Sequence, residues 1–208
     1  MSPVARLRVP PGRGGRLSLQ HRLTVARRGA DLLDRKLRIL HTEAHRLAQA
    51  AERTGAAWTD AAGEADTWLL RAVLVGGERA VRLATGPAEA DVVVSWARTM
   101  GVRYPAAATC TLPAGPPSGV PTAGAAVLAA RRAHVRAVEA AVRHAAAEAA
   151  LRLVTAEEAA TRRRLRALSH RWIPLLTDAL AAAQLLLDEQ EREDDIRLRW
   201  AHGGGHGA

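Results

Sequence analysis

Apolar residues recur at alternating steps of four and three along the first third of this chain, and this spacing constrains the fold more than any other feature. The positions are Leu19, Leu23, Ala26, Ala30, Leu33, Leu37, Leu40, Ala44, Leu47 and Ala51, continued by Thr54, Trp58, Ala61, Ala65, Trp68, Ala72 and Val75. Such alternation is the a/d pattern of a heptad, in which one stripe of a helix packs against a partner helix. A heptad kept over this length predicts a left-handed coiled coil.

The last third of the chain repeats the pattern. The steps pass through Leu165, Leu168, Trp172, Leu175, Ala179, Ala182 and Leu186, then Glu189 and Glu193, and recover at Ile196 and Trp200. An upstream set is out of step with this one, which predicts a stutter between Arg152 and Arg164; it consists of Val135, Val138, Val142, Ala145 and Ala149. Pro174 has no N–H and is predicted to kink the helix near residues 168–171.

Glycine and proline crowd together between the two periodic regions and divide the chain. We predict an N-terminal extension over residues 1–15, a helix over 16–75, a head over 76–124, a helix over 125–202 and a disordered tail over 203–208. The two helices would be about 90 and 110 Å long, much longer than a compact domain of this size. They are therefore expected to run antiparallel as a rod, with the head joining them.

The head contains short β-branched stretches that predict strands. Residues 90–96 include three consecutive valines, and residues 101–104 and 107–112 are the expected partners in a hairpin. The predicted fold is therefore all-α dominated, a long antiparallel two-helix coiled coil with a small irregular or β-hairpin head in the middle of the chain.

Composition excludes several classes of protein. Lys36 is the single lysine among 30 basic residues and is followed by Leu37, so the Gly-x-x-x-x-Gly-Lys-Ser/Thr phosphate loop is absent. Cys110 is the only cysteine and cannot form an internal disulfide, which fits a reducing cytoplasm. No uncharged apolar run reaches about 18 residues, and Met1 to Pro11 has no apolar signal core, so neither membrane insertion nor secretion is expected.

The candidate chemical groups favour structural roles. His41 and His45 lie one helical turn apart, but no third metal ligand is evident. The acidic residues 189–195 alternate with arginines, and Glu193 precedes Arg197 by the four residues of a helical ion pair. The net charge of +9 and the arginines at 162–166 suggest phosphate binding, yet no nucleic-acid-binding motif accompanies them. We predict no catalytic residue, no metal, no cofactor and no nucleic-acid partner.

Both ends of the chain resemble one known family. Residues 11–17, followed by Arg28-Gly29, Leu32-Leu33 and Lys36, are similar to the start of the D subunit of V-type and A-type ATPases. Residues 161–168 with Ile173-Pro174, and residues 191–199 (Glu-Arg-Glu-Asp-Asp-Ile-Arg-Leu-Arg), resemble the family's C-terminal helix. Gly101-Val102 with Pro105 matches its hairpin region.

The resemblance implies the central stalk, or rotor shaft, of a rotary ATPase. Such a protein has no active site and carries torque between the A/B catalytic hexamer and the membrane ring, together with the F subunit and the socket subunit. It would lie in the cytoplasm, peripheral to the membrane. Carried over residue by residue, the contacts with the hexamer would be Arg13, Leu17, Arg192, Glu193, Asp194 and Arg197. A shaft of this kind would use Pro174 as its kink and, as its seam, Leu33, Leu37, Leu40, Leu47, Leu168, Trp172, Leu175 and Leu186.

Two other interpretations stay open at this point. One is a different cytoplasmic coiled-coil rod, similar in shape to an export-apparatus component. The other is a basic coiled coil that binds nucleic acid, which salt-dependent retention on DNA would reveal.

Overall fold

The computed structural model describes residues 10, 12–84, 89–112 and 124–203, with side chains in the last range up to Trp200. Helix α1 spans Arg13–Ala84, strands β1 and β2 span Asp91–Thr99 and Val102–Thr111, and helix α2 spans Ala125–Ala167. A π-helical segment, Leu168–Trp172, joins α2 to helix α3, Ile173–Gly203. Most of the predicted N-terminal extension, part of the head loop and the tail beyond Gly203 lie outside the described residues.

Helix α1 begins earlier and ends later than the range 16–75 predicted from the sequence. Gly77 alone departs from helical geometry, with φ 74° and ψ 162°, and the helix resumes after it as far as Ala84. Glycine adopts such a positive φ without steric penalty, so Gly77 breaks the helix without ending it. The predicted head therefore opens with a further stretch of helix.

Contacts divide the chain into two compact units, which we describe separately. The central unit comprises residues 38–159, and the terminal unit comprises the described residues of 1–37 and 160–208.

In the central unit, α1 and α2 run antiparallel. Residues with increasing numbers in α1 contact residues with decreasing numbers in α2. The contacts that show this are His41 with Glu158, Thr54 with His144, and Glu64 with Arg136. The α1 stripe is buried at predicted positions, namely Leu40, Ala44, Leu47, Ala51, Ala65 and Ala72. Val75 is 79% exposed, so Ala72 is the last predicted position that is buried, and Ala80, Val81 and Ala84 pack on the same cluster beyond it.

The α2 stripe predicted from valines is wrong. The buried residues in the first half of α2 are Val127, Ala130, Ala133, Ala137 and Ala140, whereas Val138 is 37% exposed. Trp68 of α1 packs against Ala130, Ala133 and Ala137 in two neighbouring clusters. A small residue opposite an indole keeps the seam filled without overpacking, so alanine rather than valine faces α1 here.

The predicted stutter is also wrong, because the buried phase of α2 is continuous. Buried and half-buried positions alternate by three and four from Ala130 to Leu168, through 133, 137, 140, 144, 147, 151, 154, 158, 161 and 165. The apparent shift between Arg152 and Arg164 arose from assigning the valines to the seam.

The hairpin packs on the helices of the central unit. Thr99 pairs with Val102, so Met100 and Gly101 form a two-residue turn, and both have positive φ, 49° and 88°. Two positive φ values define a type I′ turn, which matches the twist of the strands. The two predicted partner segments form one strand, and the pairing shifts between Ser95 and Trp96, where their partners are Ala107 and Pro105.

In the terminal unit, the start of α1 packs against α3. Leu19, Leu23, Ala26 and Leu176 form the buried core, with Leu168, Ile173, Ala179, Leu180 and Ala183 packed around it. Gly29 lies opposite Leu168, Arg22 opposite Trp172 and Arg13 opposite Glu191, so this pairing is antiparallel too.

Candidate interaction surfaces

Tyr104, the single tyrosine of the chain, fastens the hairpin to α1. Its ring is 4% exposed and lies in a cluster with Leu40, Leu47 and Val154. Its hydroxyl donates a hydrogen bond of 2.6 Å to Glu43 Oε1, and Arg46 donates two more to the same carboxylate, at 2.6 and 3.0 Å. We call Tyr104, Glu43 and Arg46 the hairpin latch.

The latch favours the ionised form of Glu43. The hydrogen bonds from Arg46 lower the pKa of this carboxyl most, burial opposes them, and the hydrogen bond from Tyr104 adds to the lowering. The carboxylate in turn raises the pKa of the Arg46 guanidinium. The latch escaped prediction from the sequence; the available signals were the Glu43–Arg46 spacing of three on one helix and the solitary tyrosine.

Strand β1 exposes apolar side chains on both faces of the hairpin. Val92, Val93 and Trp96 are 45%, 59% and 51% exposed, and Arg103 lies over the Trp96 ring at 4.5 Å. Among the described residues, strand β1 pairs only with β2, so its outer edge carries unpaired backbone groups. An edge strand with consecutive exposed valines is a surface suited to contact with another protein.

A polar layer interrupts the seam of the central unit. His144 Nδ1 lies 3.3 Å from Thr54 Oγ1, and Trp58 stacks on the imidazole with ring centroids 5.6 Å apart. A Cβ at Gly55 would lie 3.1 Å from His144 Cε1, so glycine gives the ring its space. Trp58 is therefore 41% exposed, lying against the flank of His144 and not within the predicted seam.

The two histidines one turn apart form no metal site among the described residues. His41 and His45 meet edge to face, with ring centroids 4.6 Å apart. His41 Nδ1 lies 3.2 Å from Glu158 Oε1. No group of three or more potential metal ligands occurs in the part of the chain that the structure describes.

The residues carried over as hexamer contacts lie at the exposed end of the terminal unit. Arg13 forms an ion pair of 2.9 Å with Glu191, next to Arg192, and Leu17 is 60% exposed. Arg197 reaches both Glu193 and Asp194 at 3.4 Å. Every side chain from residue 188 to 200 is exposed, so this helix end presents charged and apolar groups together.

The predicted seam residues differ in burial, and the exposed ones lie in the π segment or after it. Leu40 and Leu47 are buried, and Leu33, Leu37, Leu168 and Leu175 are half-buried. Trp172 and Leu186 are 38% and 61% exposed, so their assignment to the seam is wrong. The π segment adds one residue to the turn, and the packed stripe resumes at Ile173, Leu176, Leu180 and Ala183, one position later than predicted, with the predicted Ala179 at its edge.

Pro174 is the second residue of α3, two positions after the last residue of the π segment. The Ile173 N–H bonds to the Leu168 carbonyl, five residues back. Because proline offers no N–H and its ring crowds the carbonyl four residues before it, a wider turn is a natural accommodation. The bend predicted at Pro174 stays a prediction.

None of the helices among the described residues has the length and apolar character needed to cross a membrane.

Comparison with known proteins gives a consistent result. The family model for the D subunit of ATP synthase matches residues 16–203. The A-type ATP synthase D subunit of Methanopyrus kandleri is 33% identical, over 92% of this chain and 84% of its own length. The V-type ATP synthase D subunits of Anaeromyxobacter sp. and Thermus thermophilus are each 33% identical, over 92% and 94% of this chain and 92% and 88% of theirs. A match along nearly the whole chain, on a fold of paired helices with a central hairpin, means that this protein belongs to the family of ATP synthase D subunits.

Proposed function

We propose that this chain is the central rotor stalk of an A/V-type rotary ATPase and carries torque between the A/B catalytic hexamer and the ion-translocating membrane ring. Its membership of the D-subunit family carries the proposal. The D subunit is a stalk component and not a catalytic one, so the chain itself hydrolyses no ATP.

The helix pairing is suited to mechanical work. Alanines at 65, 133, 137 and 140 bury only small side chains in the central unit, which lets the two backbones approach closely. Paired helices with a filled seam resist twisting better than a single helix, because rotation of one must displace side chains of the other. This supports torque transmission through the chain.

We assign the contacts with the A and B subunits to the exposed end of the terminal unit. Arg13, Leu17, Arg192, Glu193, Asp194 and Arg197 are all exposed there, and their ion pairs are of the weak surface type. Weak charge contacts exchange between successive catalytic sites without trapping the shaft in one orientation. We assign the F subunit and the socket subunit to the central unit, whose hairpin exposes Val92, Val93 and Trp96. The complex would hold the chain on the cytoplasmic side of the membrane.

Co-expression with the A, B and F subunits from the same genome tests this function. We expect the chain to co-purify with an A/B hexamer and to be required for coupled ATPase activity. Charge reversal in Arg192→Glu/Arg197→Glu should weaken retention of A and B. Arg53→Glu, an exposed arginine of the central unit, is the matched control and should leave retention unchanged.

Two outcomes would contradict the proposal at different levels. Full retention and full coupled activity in the double reversal would remove the assignment of these residues. Absence of A, B and F from the purified complex, with salt-dependent retention on DNA instead, would remove the stalk function itself.

A further inference from the structure

Helix α3 carries two apolar stripes that lie one residue apart. The observed stripe, Ile173, Leu176, Leu180, Ala183 and Leu187, is buried or half-buried. The alternative stripe, Trp172, Leu175, Ala179, Ala182 and Leu186, continues the heptad of Leu165 and Leu168 without interruption; Leu175 and Ala179 are half-buried beside the observed stripe, and the other three are exposed. Both stripes have heptad spacing, so either can form a seam with the start of α1.

The π segment decides which stripe is buried. A one-residue step turns a helix by about 100°, so inserting a residue at Leu168–Trp172 brings the observed stripe to face Leu19, Leu23 and Ala26. If the same segment were α-helical, the alternative stripe would face them instead. We propose that Leu168–Trp172 is a register joint, through which α3 interconverts between these two packings.

The surroundings of Trp172 provide room for the second packing. The indole is 38% exposed under the guanidinium of Arg22 and borders an open groove of about 430 Å³. The groove is lined by His21, Arg22, Val25, Ala26, Gly29, Leu168 and Trp172. Ala26 and Gly29 fill little of this groove, so a turn of α3 moves the indole toward it.

Pro174 biases the joint toward the observed packing. In a continuous α-helix its ring would crowd the His170 carbonyl and leave that carbonyl without a donor. The wider turn relieves the crowding, since Ile173 bonds to Leu168 across five residues. Two packings of one sequence, separated by a local turn, constitute a bistable element.

Disulfide trapping in the full chain tests the joint. In a Cys110→Ser background, Leu19→Cys is paired either with Ala183→Cys, which reports the observed packing, or with Ala182→Cys, which reports the alternative. Pro174→Ala should raise the 19–182 cross-link at least threefold relative to the parent. Deletion of His170 shortens the turn to an α-helix with the observed stripe still in the seam, and should abolish the 19–182 cross-link while preserving 19–183.

A second measurement keeps the core leucines intact. In the full chain labelled with 5-fluorotryptophan, the Trp172 resonance is assigned by loss in Trp172→Phe. We expect a minor Trp172 resonance that grows in Pro174→Ala and disappears on deletion of His170. A cross-link ratio unchanged by Pro174→Ala, together with one Trp172 resonance in all variants, overturns the proposal. Neither readout requires the ATPase partners, so the outcome is independent of the proposed function.

Discussion

The hairpin latch makes the most direct prediction about what holds β1 and β2 to the helices. Tyr104→Phe removes one hydroxyl and keeps the buried ring, so it tests the hydrogen bond alone. That bond is 2.6 Å long and its acceptor is an ionised carboxylate whose side chain is 17% exposed. Hydrogen bonds to charged groups contribute about 1.5–3 kcal/mol. Because Arg46 continues to bind Glu43, we expect the lower end, a loss of about 1.5 kcal/mol.

Urea denaturation of the full chain, followed by far-UV circular dichroism, measures this loss. A double-mutant cycle with Glu43→Gln isolates the pair, since the cycle subtracts the effects of each change on the rest of the protein. We expect a coupling energy of about 1 kcal/mol between the two positions.

The latch would be refuted as a stabilising contact if Tyr104→Phe and the parent unfold at the same urea concentration, or if the cycle gives no coupling. Thr99→Val is the matched control, because Thr99 Oγ1 touches the same hydroxyl at 3.3 Å without a charge. It should lose no more than about 0.5 kcal/mol, the low end for a neutral hydrogen bond.

Three further predictions concern other parts of the chain. The pKa of Glu43 is lower in the folded protein than in the unfolded chain, so its charge stabilises the fold above the unfolded pKa. This stabilisation is lost as the pH falls through the folded pKa. The difference in stability between the parent and Glu43→Gln, measured by urea titration, should therefore shrink from about pH 6 to about pH 3. Gly55→Ala places a Cβ 3.1 Å from His144 and should destabilise the protein by about 1 kcal/mol. Gly63→Ala has open space around it and should stabilise the protein by about 0.5–1 kcal/mol. Equal shifts in thermal midpoint would contradict the packing at His144. Met100→Asn, at φ 49°, should raise stability by about 0.5–1 kcal/mol, and an unchanged urea midpoint would mean that the turn is not strained.

The sequence was sufficient where periodicity and side-chain size agreed. The α1 stripe was predictable because Leu40, Ala44 and Leu47 belong to a heptad that is kept over many turns. The antiparallel pairing followed from the lengths of the two periodic regions alone. The strands followed from β-branched residues flanking Met100-Gly101.

Prediction failed where a seam position depends on the partner helix. Val135 and Val138 are more apolar than Ala133 and Ala137, yet the alanines are buried because Trp68 occupies the space opposite them. Volume complementarity is a property of the pair of helices and is invisible in either stripe by itself.

The π segment could not be predicted from the heptad spacing, for a different reason. Pro174 signalled a disturbance, but a kink, a break and an inserted residue all remove the same hydrogen bond. Only the insertion shifts the phase that follows, and the sequence offers an apolar stripe for both phases. The latch was missed because Glu43 and Arg46 on α1 are 61 and 58 residues from Tyr104, a separation that local spacing does not bridge.

The polar layer at His144 has a structural consequence for an alanine seam. A stripe such as Ala130, Ala133, Ala137 and Ala140 presents nearly the same surface to the facing helix after a slip of one heptad, so small residues fix the pairing of two helices poorly. The imidazole of His144 fits beside Thr54 and Gly55 in one register of the two helices only. Any slip would place that ring against a residue that has a Cβ and no hydroxyl. A single polar position of this kind specifies register at some expense in stability. The central unit thus combines alanines that bring the helices close with one histidine that sets where they meet.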